Sequence, residues 1–208
     1  MHTEQSVRDF AAALASGEPV PGGGAAGALV GVLAAALAAM VCRFTIGRRR
    51  FETVEPEMRA LLARADQIRG EMIELVEADA RAYESVVEAQ ALPKGTPAET
   101  EERERRVQDA LLSAIRVPLR SAVLAADVLA LCEPIAERGN PRLASDAGVA
   151  AVLADAALHA SAISVRANYP TLRDGRVRDE TESVLARLFG AARELRPRVL
   201  ALVEKKIG

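Results

Sequence analysis

Residues 21–43 read PGGGAAGALVGVLAAALAAMVCR, and the reading of this stretch decides the fold. Gly22-Gly23-Gly24-Ala25-Ala26-Gly27 satisfies the dinucleotide-binding pattern G-x-G-x-x-G letter for letter. That motif requires a preceding strand, and an acidic residue about twenty positions on to hold a ribose hydroxyl. Here a loop with Pro19 and Pro21 precedes it, and the first acid after it is Glu52. No Gly-Lys-Ser/Thr follows, so the phosphate-loop pattern fails as well. What remains is a glycine turn opening an Ala-rich helix. Its free N–H groups can face a ligand, or the glycines can serve a sharp turn and close packing.

Gly24 to Cys42 carries no charge, so a membrane span has to be weighed. The segment is mostly Ala and Gly, with Leu29, Leu33 and Leu37 forming one ridge four residues apart, and no second segment resembles it. A buried central or dimer-interface helix is expected, with no membrane partner. Arg43 lies near the Leu ridge, where a guanidinium needs an acidic partner from the protein or from a ligand.

Outward from this helix the chain reads as helical throughout, because Ala, Leu, Glu and Arg dominate and β-branched alternation is absent. The expected helices run from about Thr3 to Ser16, Gly24 to Ile46, Pro56 to Ala91, Pro97 to Glu137, Ser145 to Asn168, and Val177 to the C-terminus. Gly17–Gly23, Leu92–Pro97 and Gly139-Asn140-Pro141 supply the breaks, and Tyr169-Pro170 stops the fifth helix. Ser145 or Asp146 is positioned to cap it. Pro118 should kink or split the fourth helix, and Pro197 should kink the last. The fold class is all-α: one domain over 1–208, of about six long antiparallel helices.

Composition agrees with close helix packing. Half of the 208 residues are hydrophobic, yet only 3% are aromatic and Trp is absent, so small side chains must fill the core. Lys plus Arg is 27 against 29 for Asp plus Glu, which leaves no electrostatic footprint for nucleic acid. Cys42 and Cys132 read as reduced, partly buried thiols of a cytoplasmic protein. Two histidines, His2 and His159, are too few for a zinc site or a His-based triad, so no metal is expected. His159, four after Asp155, reads as structural. The N-terminus has no signal-peptide pattern.

The most informative residue is Asp79. Met72, Val76, Tyr83, Val86 and Val87 share one helical face, and Asp79 falls near its middle, whereas Glu71, Glu74, Glu77, Glu84 and Glu88 fall away from its centre. A carboxylate on an apolar face has a shifted pKa, up by burial or down by a cation, and either outcome suits proton transfer. The other reading is a structural ion pair with Arg43 or Arg116.

The ordered set of motifs is similar to the formiminotetrahydrofolate cyclodeaminase and methenyltetrahydrofolate cyclohydrolase family. It comprises Pro21-Gly22-Gly23-Gly24, Thr45-Ile46-Gly47-Arg48-Arg49, Asp79-Ala80-Arg81-Ala82-Tyr83 and Val117-Pro118-Leu119. Gly139-Asn140 leading to Ser145-Asp146, and Val165-Arg166-Ala167-Asn168, complete it. The match runs from about Thr3 to Arg187. The resemblance implies a homodimer with a folate site in a cleft near the interface, and Asp79 as the catalytic acid/base. It implies Asn140 and Asn168 orienting the pterin or the attacking atom, with Gly22, Gly23, Gly24, Ser145 and Asp146 around the substrate. Arg43, Arg48 and Arg49 would attract the glutamate carboxylates of the folate tail, whether it carries one glutamate or is polyglutamylated. Arg48 and Arg49 stand where Lys is common, and the charge survives. Arg48 to Arg50 read equally as a solvated basic turn, and Tyr83 as a stacking or donor group or as core.

The family's two reactions share one carbon. In cyclodeamination N10 attacks the N5-formimino carbon and ammonia leaves; in cyclohydrolysis water attacks the 5,10-methenyl carbon and the ring opens to the 10-formyl form. Neither needs a cofactor beyond the tetrahydrofolate substrate. A chain of this length lacks a formimino-transferase domain, which favours the cyclohydrolase over the cyclodeaminase. A non-enzymatic helical interaction protein, with Asp79 structural, is the further alternative. An Asp79→Asn substitution separates that alternative from an enzyme.

Overall fold

The computed structural model describes residues 1–208 and contains helices and no strand. Six α-helices follow one another: α1 (Val7–Leu14), α2 (Gly23–Thr45), α3 (Glu55–Ala91), α4 (Pro97–Arg138), α5 (Ala144–Ala167) and α6 (Gly175–Ile207). Short 3-10 turns at His2–Glu4, Arg49–Val54, Pro141–Leu143 and Tyr169–Thr171 lie between them.

Local chemistry explains most boundaries, including those that differ from expectation. The first helix does not begin at Thr3, because the Ser6 side chain accepts from the Asp9 N–H and starts α1 after a break. Thr96 and Glu99 form a reciprocal capping box at the head of α4. Ser145 and Asp146 do not cap α5: they lie in its first turn, since α5 starts at Ala144, straight after the 3-10 turn. α5 has no side-chain cap of its own; Asn140 caps the 3-10 turn before it, its Oδ1 accepting from the Arg142 N–H. Asp174 caps α6 through the Arg176 N–H. α4 runs unbroken through Pro118 and Pro134, and α6 through Pro197, so proline splits neither helix.

Consecutive long helices are antiparallel, as their contacts record. Glu57, Arg64 and Glu71 of α3 pair with Arg138, Asp127 and Arg120 of α4 in reverse order. α2 lies centrally, against α3 on one side and α5 on the other. Small residues permit this closeness: a Cβ on Gly31 would lie 2.2 Å from Met72 Cε, and one on Gly27 would lie 3.0 Å from the Ala160 methyl. The main core holds 32 residues, among them Ala35, Ala38, Met58, Ile68, Leu124, Leu129, Leu158 and Leu185. Cys42 and Cys132 are buried free thiols whose pKa burial pushes to about 12.

The buried face of α2 is formed by Ala25, Ala28, Ala35, Ala38 and Val41, whereas Leu33 of the Leu ridge is 50% exposed. One sequence expectation fails here. A second segment does resemble α2, because Pro141–Thr171 is also long and apolar enough to span a membrane, at mean hydropathy 1.6 against 2.3 for Gly23–Thr45. Of the most apolar window of each, 61% is buried within the fold for α2 and 50% for the second.

Candidate active site

The glycine turn and the α3 carboxylate meet. Gly22 ends the loop in extended backbone, α2 begins at Gly23, and its first-turn N–H groups have no partner within the helix. Asp79 of α3 reaches across, and its Oδ2 accepts from the Ala25 N–H at 2.9 Å. Gly24 is glycine for a local reason: a Cβ there would fall 2.1 Å from Asp79 Oδ1. The sequence therefore buys close approach of one carboxylate to the positive end of a helix.

Asp79 has no cation beside it. Arg43 is engaged elsewhere, with its Nη2 2.6 Å from Asp66 Oδ2, and Arg116 makes no bond to Asp79. Burial therefore dominates and pushes the Asp79 carboxyl above its ordinary value, against the Ala25 N–H, which pulls it down.

Around it lies a cleft of about 510 Å³, within the range of small-molecule sites. Gly22, Gly23 and Gly24 form one wall, and Asp79, Ala82, Tyr83, Val86 and Gln90 of α3 form the next. Leu111 and Ala114 of α4, and Ile163, Ser164, Ala167 and Asn168 around the end of α5, close it. The apolar stripe of α3 thus changes use along its length: Met72 and Val76 are buried in core, whereas Tyr83 is 45% exposed on the cleft wall. Asn168 is held in place because its Nδ2 donates to the Ala114 and Ser164 carbonyls, leaving Oδ1 without a partner in the chain. No Lys, Arg or His lines the cleft.

Of the residues singled out from sequence, Gly22, Gly23, Gly24, Asp79, Tyr83 and Asn168 come together here. Arg48, Arg49 and Asn140 do not. They line a second cavity of about 680 Å³ with Arg50, Arg142, Phe44, Gly47 and Leu143, at the other end of α2. The 23 residues of α2 set the two cavities roughly 30 Å apart, at about 1.5 Å per residue. Asn140 there ties the chain together: its N–H donates to Thr45 Oγ1, its Nδ2 to the Phe44 carbonyl, and its Oδ1 accepts from Arg50. Arg43, Ser145 and Asp146 line neither cavity. Gln90, Ser164 and Ile163 were missed, because each follows ordinary helical spacing and only the tertiary packing turns it inward to the cleft. No cluster of three or more His, Cys, Asp or Glu side chains could hold a metal ion.

Asp79 is not the sole acid of α3 shielded from solvent. Glu77 is 6% exposed, contrary to its place off the apolar stripe. The N-terminal segment covers it, and its Oε1 accepts from the Thr3 N–H at 2.7 Å and the Thr3 hydroxyl at 3.0 Å. Burial acts to raise its pKa, but these two bonds and nearby positive charge outweigh it and hold the carboxyl below its ordinary value.

An all-helical protein with one carboxylate at a helix N-terminus, inside an otherwise uncharged cleft, is the class that this geometry defines. The family model described as formiminotransferase-cyclodeaminase matches residues 6–187, and the chain belongs to that family. It is 35% identical over 207 residues to the methenyltetrahydrofolate cyclohydrolase of Methylorubrum extorquens, covering 100% of both chains. It is 36% identical over 200 residues to the formimidoyltransferase-cyclodeaminase of Gallus gallus, covering 95% of this chain but only 36% of that larger protein. Its structure resembles the formiminotetrahydrofolate cyclodeaminase of Thermotoga maritima, at a TM-score of 0.88 and 31% identity, across 99% of this chain and 98% of the other.

Proposed function

We propose that this chain is a cytoplasmic, homodimeric enzyme of one-carbon folate metabolism that hydrolyses 5,10-methenyltetrahydrofolate to 10-formyltetrahydrofolate. The observation that carries the reading is Asp79, half-buried and bonded to the Ala25 N–H in a cleft with no other carboxylate. The full-length relationship to a methenyltetrahydrofolate cyclohydrolase supports the choice of reaction. The relatives are named as enzymes, so nothing favours a non-enzymatic interaction protein.

In the proposed mechanism, Asp79 takes a proton from water as the oxygen bonds to the bridging carbon between N5 and N10. The tetrahedral carbon then bears one hydroxyl and two nitrogens. Asp79 returns its proton to N5 as the carbon–N5 bond breaks. The hydroxyl proton is released, and a formyl group remains on N10. A carboxyl whose pKa burial has raised holds a proton more readily than an ordinary surface Asp, which suits a group that must take one up and return it. Apolar walls from Ala82, Val86, Leu111 and Ile163 suit a flat ring system, and Asn168 Oδ1 offers an acceptor for a ring N–H. The tail, with one or several glutamates, is the anionic part that this cleft leaves unmatched.

The second reading is formiminotetrahydrofolate cyclodeaminase, which the structural likeness to the Thermotoga maritima protein favours. There the same carboxyl would move a proton onto the departing ammonia while N10 closes the ring. One assay decides between them. The purified protein is given each folate, with methenyl absorbance and ammonia followed together. Methenyl decay faster than in buffer is expected; decay at the buffer rate together with ammonia release from the formimino substrate selects the deaminase instead.

A further inference from the structure

The Asp79 cleft opens onto a neighbour. Gln90 and Thr171 border both it and a smaller cavity of about 200 Å³, whose lining includes Arg103, Glu104, Gln108 and Arg173. Charge divides the two spaces: the cleft holds one carboxylate and no cation, whereas the small cavity holds two guanidinium groups and one acid. That acid, Glu104, is taken by Arg173, whose Nη1 lies 2.7 Å from Oε2. Arg103 is in no ion pair. Its Nε donates to the Gln90 carbonyl at 3.0 Å, which holds the guanidinium at the shared rim, and its two terminal nitrogens make no hydrogen bond within the chain. Other acids near it are engaged: Glu99 accepts from the Thr96 N–H, and Glu102 bonds Arg105 and Arg106. The far wall is fixed as well. Gln108 Nε2 donates to the Thr171 carbonyl and its Oε1 accepts from the Arg173 N–H, so α4 clamps the connection between α5 and α6 that closes this end.

We propose that Arg103 is a specificity-determining residue of the Asp79 site: it binds a carboxylate of the substrate's first glutamate, and the small cavity is the anionic end of the site within one chain. The proposal rests on the folate reading above. Spacing along α3 supports it. Gln90 follows Asp79 by eleven positions, about three turns, so the two lie on one face of α3 about 16 Å apart, with Tyr83 and Val86 between them. In a methenyl-folate, standard bond lengths put the bridging carbon about 10 Å from the nearer tail carboxylate. Contact distances of about 3 Å, to Asp79 at one end and to a guanidinium at the other, fill the remainder. The aminobenzoyl ring then crosses the apolar stretch between Val86 and Leu111. Arg48 and Arg49 offer no such fit within the chain, because they lie at the far end of α2. An arginine with free terminal nitrogens, at that distance from the reacting carbon, is the group that a substrate with an anionic tail requires.

The test crosses two substrates with two proteins. Wild type and Arg103→Gln are each assayed on 5,10-methenyltetrahydrofolate and on 5,10-methenyltetrahydropteroate, the same molecule without its glutamate. Loss of one charge-assisted bond should lower kcat/KM by about 10- to 100-fold, chiefly through KM. Wild type should show that loss when the glutamate is removed, and Arg103→Gln should show it on the folate. On the pteroate the two proteins should be equal, because nothing is left for Arg103 to hold. Arg103→Lys, which keeps the charge, should recover part of the loss on the folate and change nothing on the pteroate. An Arg103→Gln protein that handles the folate as wild type does overturns the proposal. Equal losses on both substrates overturn it too, and make Arg103 only a brace for the Gln90 carbonyl at the end of α3. The folate reading survives either result, since wild type still turns over. A wild type that turns over neither the methenyl nor the formimino substrate fails at the earlier step, and the functional reading falls together with this proposal.

Discussion

Asp79 and Glu77 sit two residues apart on α3, about 200° apart around the helix, and they show what two kinds of buried acid look like. Glu77 is covered by the N-terminal segment and satisfied by two Thr3 donors, which hold it ionised. Asp79 has one donor, from Ala25, and an open cleft in front of it, and burial leaves its proton affinity raised. The first is a clasp that fixes the chain end; the second is an acid kept short of partners. Solvent exposure alone would rank them the wrong way round, because Glu77 is the less exposed. The supply of donors, and access to a cavity, separate structure from chemistry.

The largest effect expected from this contrast is on turnover. Asp79→Asn keeps a side-chain oxygen for the Ala25 N–H but cannot move a proton, so kcat/KM should drop by roughly 10² to 10⁴ with the helical spectrum unchanged. Glu77→Gln should leave kcat/KM near wild type. Equal losses in the two variants, measured on the same folate, would erase the distinction. Next in size is Gly24→Ala. Its Cβ would sit 2.1 Å from Asp79 Oδ1, so the carboxyl must move by about an ångström. A displacement of that size costs roughly 10²-fold in rate. The loss should appear in kcat more than in KM, because the added methyl displaces the Asp79 carboxyl, while the α3, α4 and α5 walls of the cleft are unchanged. Gly70→Ala, on α3 and outside the cleft, meets nothing within 4 Å and is the control that should stay active.

The contrast was only half legible in the sequence. Six helices were, because proline and glycine punctuate long stretches of helix formers, and Pro97, Gly139 and Pro170 stop or start elements within a few residues of where they should. Asp79 stood out against the stripe of Met72 and Val76. Glu77 did not, because the chain end that covers it, His2–Glu4, comes from 74 residues away and no periodicity announces it. For the same reason Arg43 looked free on its wheel, although Asp66 of the next helix takes it. Asn140 and the arginines of 48–49 were grouped with Asp79 because a motif list has order but no distance. The length of α2 pulls them to its far end. Ser145 and Asp146 looked like caps because the Pro141–Leu143 turn, capped by Asn140, was not foreseen.

The smaller effects are on stability, and their signs with pH oppose each other. Glu77 has a lowered folded pKa, so its contribution is present above its ordinary value of 4.5 and is lost as pH falls through the folded one. Glu77→Gln should therefore cost about 1 kcal/mol at neutral pH, a drop of about 2–4 °C in Tm, and much less in acid. Asp79 has a raised folded pKa, so its favourable share is present below its ordinary value of 3.8 and is lost as pH rises through the folded one. At neutral pH the ionised carboxyl is a small burden on the fold, which Asn removes. Asp79→Asn should thus melt slightly above wild type at neutral pH, with the gap closing toward pH 3–4. Over the same interval wild-type kcat/KM should climb with pH through the Asp79 pKa as the base becomes available. A variant that melts below wild type at neutral pH would mean that Asp79 is held by its partners as Glu77 is, and the two acids would no longer differ in kind.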